Sequence, residues 1–196
     1  MDAGLDDALD TAWRLLSAGA ADRRSPVHTP VVASVDDDGA PDARVMVLRA
    51  ADRATATLRF HTDRRSPKCL ALGGGRIMVV AYHPGEAIQL RLAGTARIVT
   101  QGAMVEAVWA AASPFARRAY LVEAAPGNAL PAAGSGLPPR LHGRAPDAAE
   151  LVTARPNFAV VMAELTAIDW LHLASDGHRR ARFTARDGWQ GRWVVP

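Results

Sequence analysis

A chain of 196 residues, 49% hydrophobic and 22% charged, holds enough apolar material for one packed domain that buries about 70% of its unfolded surface. No apolar run approaches the roughly 18 residues of a membrane-spanning helix, and the acidic start (Asp2, Asp6, Asp7, Asp10) is unlike a signal peptide, so the chain reads as cytoplasmic with no membrane partner. The net charge of +3 is a small arginine surplus with 6% aromatics and no run of five like charges, which does not call for nucleic acid, and the single cysteine, Cys69, supports neither a disulfide framework nor a metal site.

In chain order, Leu5, Leu9, Trp13 and Leu16 recur at helical spacing and predict an amphipathic helix over 2–19 that ends at Gly19. A strand over Val27 to Val35 follows, then a turn at Asp36-Asp37-Asp38-Gly39, then a strand from Arg44 to Arg49. The centre of that strand, Val45-Met46-Val47-Leu48, is apolar on both faces and implies a central position in a sheet. Thr55 to Thr62 alternates as a half-buried strand does. Next comes a short helix with Ser66 as N-cap, Pro67 at the first helical position and Gly73 past its end. The unpaired amides of such a helix start, with Lys68 beside them and Arg64 and Arg65 before them, form a small phosphate cradle; a capped surface helix with solvated charges accounts for the same octet.

Beyond Gly73-Gly74-Gly75, strands over 76–83 and 87–100 are hinged at Pro84-Gly85, with Ile88, Leu90 and Leu92 on one face, Gln89, Arg91 and Ala93 on the other, and Gly94 at a bulge. Val105, Val108, Trp109 and Ala112 return to helical spacing within 101–112, and Ser113-Pro114 starts another short helix. The stretch 124–156, broken by Pro126, Pro131, Pro138, Pro139, Pro146, Pro156 and several glycines, is a lid, an arm or a loop. Strands resume over 158–165, 167–174, 179–185 and 189–195, with turns at Asp176-Gly177 and Asp187-Gly188. The fold class is mainly β with peripheral helices, a closed or split barrel of antiparallel strands in a single domain.

The run Arg44-Val-Met-Val-Leu-Arg49, the strand end Phe60-His61-Thr62, then Ser66-Pro67-Lys68 and Gln89-Leu-Arg-Leu-Ala-Gly94 together resemble the pyridoxamine 5'-phosphate oxidase family. Trp170, Arg182-Phe183, Trp189 and the terminal Pro196 are similar to that family's end. The resemblance implies a split β-barrel of antiparallel Greek-key type that binds FMN as a homodimer, with the cofactor at the subunit interface. It places Arg44, Lys68 and Ser66 at the flavin phosphate, with Val45, Met46 and Val47 along the same cofactor-binding strand. Arg49 and Gln89 fall at the isoalloxazine edge, where cationic and donor groups raise electron affinity, and His61 and Thr62 line the cofactor. Trp170 and Arg182 come from the partner subunit.

The chain departs from the family at several points. Pro67 stands where an arginine is usual, leaving Arg64 or Arg65 to substitute. His178-Arg179-Arg180-Ala181-Arg182 replaces the run that grips the pyridoxal substrate. Trp109 and Ser113 fall where an aromatic residue and an arginine hold the substrate phosphate. The functional expectation is an FMN-dependent oxidoreductase, oxidase or reductase, acting on an unidentified small molecule. The alternatives are a flavin- or haem-type barrel that binds without turnover, and the vitamin-B6 oxidase itself.

Overall fold

The computed structural model describes residues 4–36 and 38–196. The first residues of the expected N-terminal helix and Asp37 of the expected turn lie outside the described residues. The chain divides into two compact units, one of residues 1–60, 71–97 and 162–196, the other of residues 61–70 and 98–161.

The first unit opens with α1 (Leu5–Ala21), whose apolar stripe is buried at Leu9, Trp13 and Leu16 as the spacing predicts. The helix does not end at Gly19 but runs through it. A Cβ there would lie 2.8 Å from the Val27 carbonyl oxygen, so this glycine serves close packing and not a stop. Residues 27–30, expected as the start of a strand, are not strand; a short 3-10 turn (Pro26–His28) forms there, where the Ser25 hydroxyl accepts from the Val27 amide at 3.3 Å.

The strands are β1 (Val31–Val35), β2 (Pro41–Val45), β3 (Leu48–Asp52), β4 (Thr57–Asp63), β5 (Arg76–His83), β6 (Ile88–Val99), β7 (Phe158–His172), β8 (Arg179–Thr184) and β9 (Gly191–Val194). They form one sheet in the order β2-β1-β5-β6-β7-β4-β3, with β8 on β7 and β9 on β8. The described ladders of β1 with β2 and β5, β3 with β4, β5 with β6, β7 with β8 and β8 with β9 are all antiparallel. The alternation read for β6 holds, with Ile88, Leu90 and Leu92 buried and Gln89, Arg91 and Ala93 on the outer face.

Three strand expectations are corrected. Arg44–Arg49 is not one central strand: the chain leaves β1 after Val45 and joins β4 from Leu48, and Val45 is 64% exposed because β2 is an edge. Gly94 marks no bulge, since β6 passes it in regular register with Ile77; a Cβ there would sit 2.2 Å from the Glu164 carbonyl oxygen. The two strands expected over 158–174 are the single strand β7, in which the β-branched Thr166 continues the extended backbone and its hydroxyl donates to the Ala93 carbonyl.

The second unit carries α3 (Ala103–Ala111), α4 (Pro114–Arg117) and α5 (Ala148–Ala154); the five-residue α2 (Lys68–Leu72) runs across the boundary. Ser113 caps α4 as read, its hydroxyl accepting from the Ala116 amide at 3.2 Å. The stretch 124–156 is irregular to Asp147 apart from a short 3-10 turn (Pro139–Leu141). There the Asp147 carboxylate accepts from the Glu150 amide at 2.8 Å and the Glu150 carboxylate accepts from the Asp147 amide at 3.0 Å, a capping box that starts α5 inside the expected loop.

Gly94→Ala is expected to destabilise the fold by about 1 to 3 kcal/mol, because backbone on the neighbouring strand leaves a methyl nowhere to go; a urea denaturation midpoint equal to wild type would contradict this. Glu150, bonded to Arg144 at 2.7 and 2.9 Å, has its carboxyl lowered to about 2 from the ordinary 4.5. A carboxyl so depressed contributes stability above pH 4.5 that is lost as pH falls toward 2. Amide exchange in α5 is therefore expected to accelerate, relative to β5, between pH 4.5 and pH 2, and to lose that step in Glu150→Gln.

Candidate functional site

In the second unit, β4 delivers His61 and Thr62 to the turn that carries Ser66 and Lys68. The His61 ring meets Phe158 edge-on at 5.1 Å, and Phe158 touches Trp109 at 5.2 Å and Tyr120 at 5.1 Å, so the imidazole sits on a fixed aromatic cluster. Thr62 is buried and its hydroxyl donates to the Asp63 carbonyl at 3.3 Å.

The Ser66 hydroxyl does not cap α2. It accepts instead from the Lys68 ammonium at 2.8 Å. The first turn of α2 closes by bonds from the Cys69 amide to the Ser66 carbonyl at 2.9 Å and from the Leu70 amide to the Pro67 carbonyl at 3.1 Å. A five-residue helix sums few peptide dipoles, so the positive character of this turn rests on side chains. Lys68 is half-buried, and among the described residues it has no carboxylate partner. Cys69 is half-buried rather than a core residue; its thiol donates to the Asp63 carbonyl at 3.3 Å and burial pushes its pKa up.

The place left by Pro67 is not filled by Arg65. That guanidinium is held by both Asp63 carboxylate oxygens, at 3.0 and 2.7 Å, and donates to the carbonyls of Val122 and Glu123 at 2.9 and 3.2 Å. It staples the start of the Pro/Gly-rich segment to the Ser66 turn. Gly127 follows, with φ of +96° and an added Cβ 3.5 Å from the Pro67 ring. Arg64 is exposed and, among the described residues, has no ion-pair partner.

In the first unit, Arg44 pairs with Val32 in the β1–β2 ladder and turns back onto its own sheet. Its guanidinium donates to the Ser34 hydroxyl at 2.9 Å and the Val32 carbonyl at 3.2 Å and is paired with Asp42. Val45 is exposed, Met46 is buried with its amide donating to the Pro30 carbonyl at 3.1 Å, and Val47 is half-buried. Arg49 sits where the β3–β4 register shifts between Leu48 and Ala50, a bulge that turns its side chain to solvent. Gln89 lies opposite Tyr82 on the outer face of β6.

The β7–β8 hairpin separates two residues that the sequence reading put together. Asp169 pairs with Arg182 and Trp170 with Ala181, so Trp170 and Arg182 point to opposite faces. Trp170 is 4% exposed, meets Trp193 edge-on at 6.2 Å, and its indole N–H is buried with no acceptor among the described residues. On the Arg182 face, the buried Asp169 carboxylate gathers Arg180 at 2.7 Å, Arg182 at 3.7 Å and Arg91 at 3.9 Å. Sequence reading missed this hub, although an aspartate in mid-strand facing alternate arginines of the next strand signals it.

Residues 10–100 match the family model described as pyridoxamine 5'-phosphate oxidase, FMN-binding domain. No curated protein sequence matches the chain. Among solved structures, a pyridoxamine 5'-phosphate oxidase-related, FMN binding protein from Nostoc punctiforme is similar at 21% identity and a TM-score of 0.72, over 95% of this chain and 96% of that one. PhzG from Burkholderia lata, solved with tetrahydrophenazine-1-carboxylic acid, is similar at 21% identity and a TM-score of 0.69, over 98% and 96%. A general stress FMN/FAD binding protein from Xanthomonas citri aligns at 17% identity and a TM-score of 0.52, over 87% and 92%. Over residues 10–100 the chain is thus similar to the pyridoxamine 5'-phosphate oxidase-like FMN-binding domains, and its mainly antiparallel sheet has the split-barrel fold of these structures.

Proposed function

We propose that this chain binds FMN and is an oxidoreductase for an organic small molecule, working as a cytoplasmic homodimer. The observation that carries the reading is the Ser66–Lys68 turn: an ammonium bonded to a neutral hydroxyl and, among the described residues, without a carboxylate partner, with Arg64, likewise without an ion-pair partner among them, two residues before that hydroxyl. That donor set fits a phosphate group, which supplies the missing counter-charge. Lys68, Ser66 and Arg64 would hold the phosphate; Arg44, proposed for the same role, is paired with Asp42 and would have to give it up. Arg49 and Gln89 would present a cation and an amide to the ring system, and His61 and Thr62 a rigid wall. FMN, when bound, supplies two-electron hydride chemistry; the side chains bind it, orient it and set the surrounding charge.

The whole chain is proposed to act as one functional domain, and the dimer is supported by an apolar strand face. Val31, Val35, Val45 and Tyr82 are 39, 54, 64 and 46% exposed and share one side of β1, β2 and β5, more than a monomer leaves uncovered without a reason. Because Trp170 is enclosed and lies on the opposite face, Arg182 is the residue of that pair suited to reach a partner's flavin. The reading departs from the vitamin-B6 oxidase. The Ser113 hydroxyl is spent on capping α4 and leaves Arg117 as the lone cation among Trp109, Ser113 and Arg117, too little charge for a substrate phosphate dianion.

FMN is expected to bind far more tightly than riboflavin, and Lys68→Ala to weaken FMN by about 1.5 to 3 kcal/mol with the fold intact. Fluorescence titration decides, and equal affinities for the two flavins would defeat the reading. Sedimentation of the flavin-loaded protein is expected to give a dimer; a loaded monomer would remove the two-subunit site while leaving flavin binding standing.

A further inference from the structure

Of the 23 lysine and arginine residues in the chain, 22 are arginine, and Lys68 is the single lysine. A guanidinium stays protonated and does not attack carbonyl carbon, whereas an ammonium that sheds a proton becomes an amine that does. Lys68 is therefore the one side chain in the sequence that an acyl donor converts to a stable amide. Its surroundings suit that reaction. The ammonium is half-buried, donates to the Ser66 hydroxyl at 2.8 Å and, among the described residues, has no carboxylate partner, so no ion pair is broken when the amine reacts. The adjacent Cys69 thiol does not compete: it donates to the Asp63 carbonyl at 3.3 Å, and burial pushes its pKa up and away from the reactive thiolate. Arg65 is occupied by the Asp63 carboxylate and the Val122 and Glu123 carbonyls.

An acyl phosphate brings its own anchor to such a turn. One oxygen joins its phosphorus to its acyl carbon, so a phosphate held by Lys68 and Ser66 sets the carbonyl carbon within reach of the same amine, and the reaction becomes effectively unimolecular. We propose that Lys68 is an acylation site for small acyl phosphates, which dock through their phosphate at the Ser66–Lys68 turn; the inference rests on the phosphate reading of that turn. The neutral amine attacks the acyl carbon, and the N–C bond forms as the C–O bond to phosphate breaks. Phosphate leaves with the electron pair and takes up the proton lost by nitrogen. The product is a neutral amide with one N–H donor in place of a cation with three, so the modified turn no longer holds a phosphate. Acylation thereby switches FMN binding off, and bound FMN shields the amine from acylation.

The test treats the full-length protein, freed of flavin, with acetyl phosphate in the presence of Nα-acetyl-lysine as a free-amine reference, and follows both by mass spectrometry. Acetylation of Lys68 is expected to run at least about tenfold faster than that of the free amine and to be slowed by inorganic phosphate and by FMN. N-acetoxysuccinimide, an acyl donor without a phosphate, is the control, and inorganic phosphate should leave its reaction at Lys68 unchanged. The acetylated protein is expected to lose at least about tenfold in FMN affinity while riboflavin affinity holds. A rate at Lys68 no faster than the free amine, indifference to inorganic phosphate, or undiminished FMN affinity after acetylation would overturn the proposal. FMN bound in preference to riboflavin by a protein whose Lys68 does not react removes this proposal and leaves the flavin reading standing. Phosphate-suppressed acetylation of a protein that binds no FMN sinks the flavin reading and leaves the acylation site standing.

Discussion

The two-residue link Met46–Val47 joins strands that stand at opposite ends of the sheet order, β2 at one end and β3 at the other. Seven strands laid side by side leave two edges, each with unpaired backbone groups, and here the covalent chain ties one edge to the other. The link has no freedom to wander: Met46 is buried and its amide is bonded to Pro30, and Leu48 is fully buried as it enters the β3–β4 ladder. Arg44 and Arg49 stand on either side of this seam. Their positions are consequences of the closure, one folded back onto its own edge and the other thrown outward by a bulge.

Electrostatics sorts the arginines of this chain into occupied and available. Arg44, Arg65, Arg144, Arg155 and Arg180 are each bound to a carboxylate, and the last four brace particular segments: the Ser66 turn, α5, α3 and the β7–β8 hairpin. Exposed pairs of this kind contribute little to stability, but they fix geometry and consume charge. Among the described residues, Lys68 on its hydroxyl is one of the cations with no carboxylate partner, and a cation without a counter-ion in a partly enclosed place suits an anion. Asp169 is the reverse case. One buried carboxylate with three guanidiniums around it leaves a surplus of positive charge on an exposed face that also carries Gln89.

Much of the fold was legible in the sequence because its signals are local. The stripe Leu9-Trp13-Leu16, the alternation of β4 and β6, the Ser113-Pro114 cap and the Asp187-Gly188 turn each depend on residues within a few positions, and each appears where it was read. Helix α5 was equally local, through Asp147 and Glu150, and was passed over because prolines and glycines surround it. Of the candidate site, Ser66 and Lys68 were placed together correctly, yet their bond is to each other, and the helix that was to supply the dipole has only five residues.

Sequence alone determined the N-terminal helix, the strands with clear alternation such as β4 and β6 and which of their residues face inward, and that cations gather near Ser66 and in the β8 strand. Tertiary structure alone decided the partners. The Arg65 clamp reaches carbonyls 57 and 58 residues away, Gly94 is required by a carbonyl on another strand, and the break at Met46–Val47 exists because two different strands compete for one segment. The separation of Trp170 from Arg182 is the clearest instance. Side chains alternate with a period of two, so one residue of register in the β7–β8 pairing decides whether they share a face, and that register is set by the packing of the whole hairpin and not by either residue.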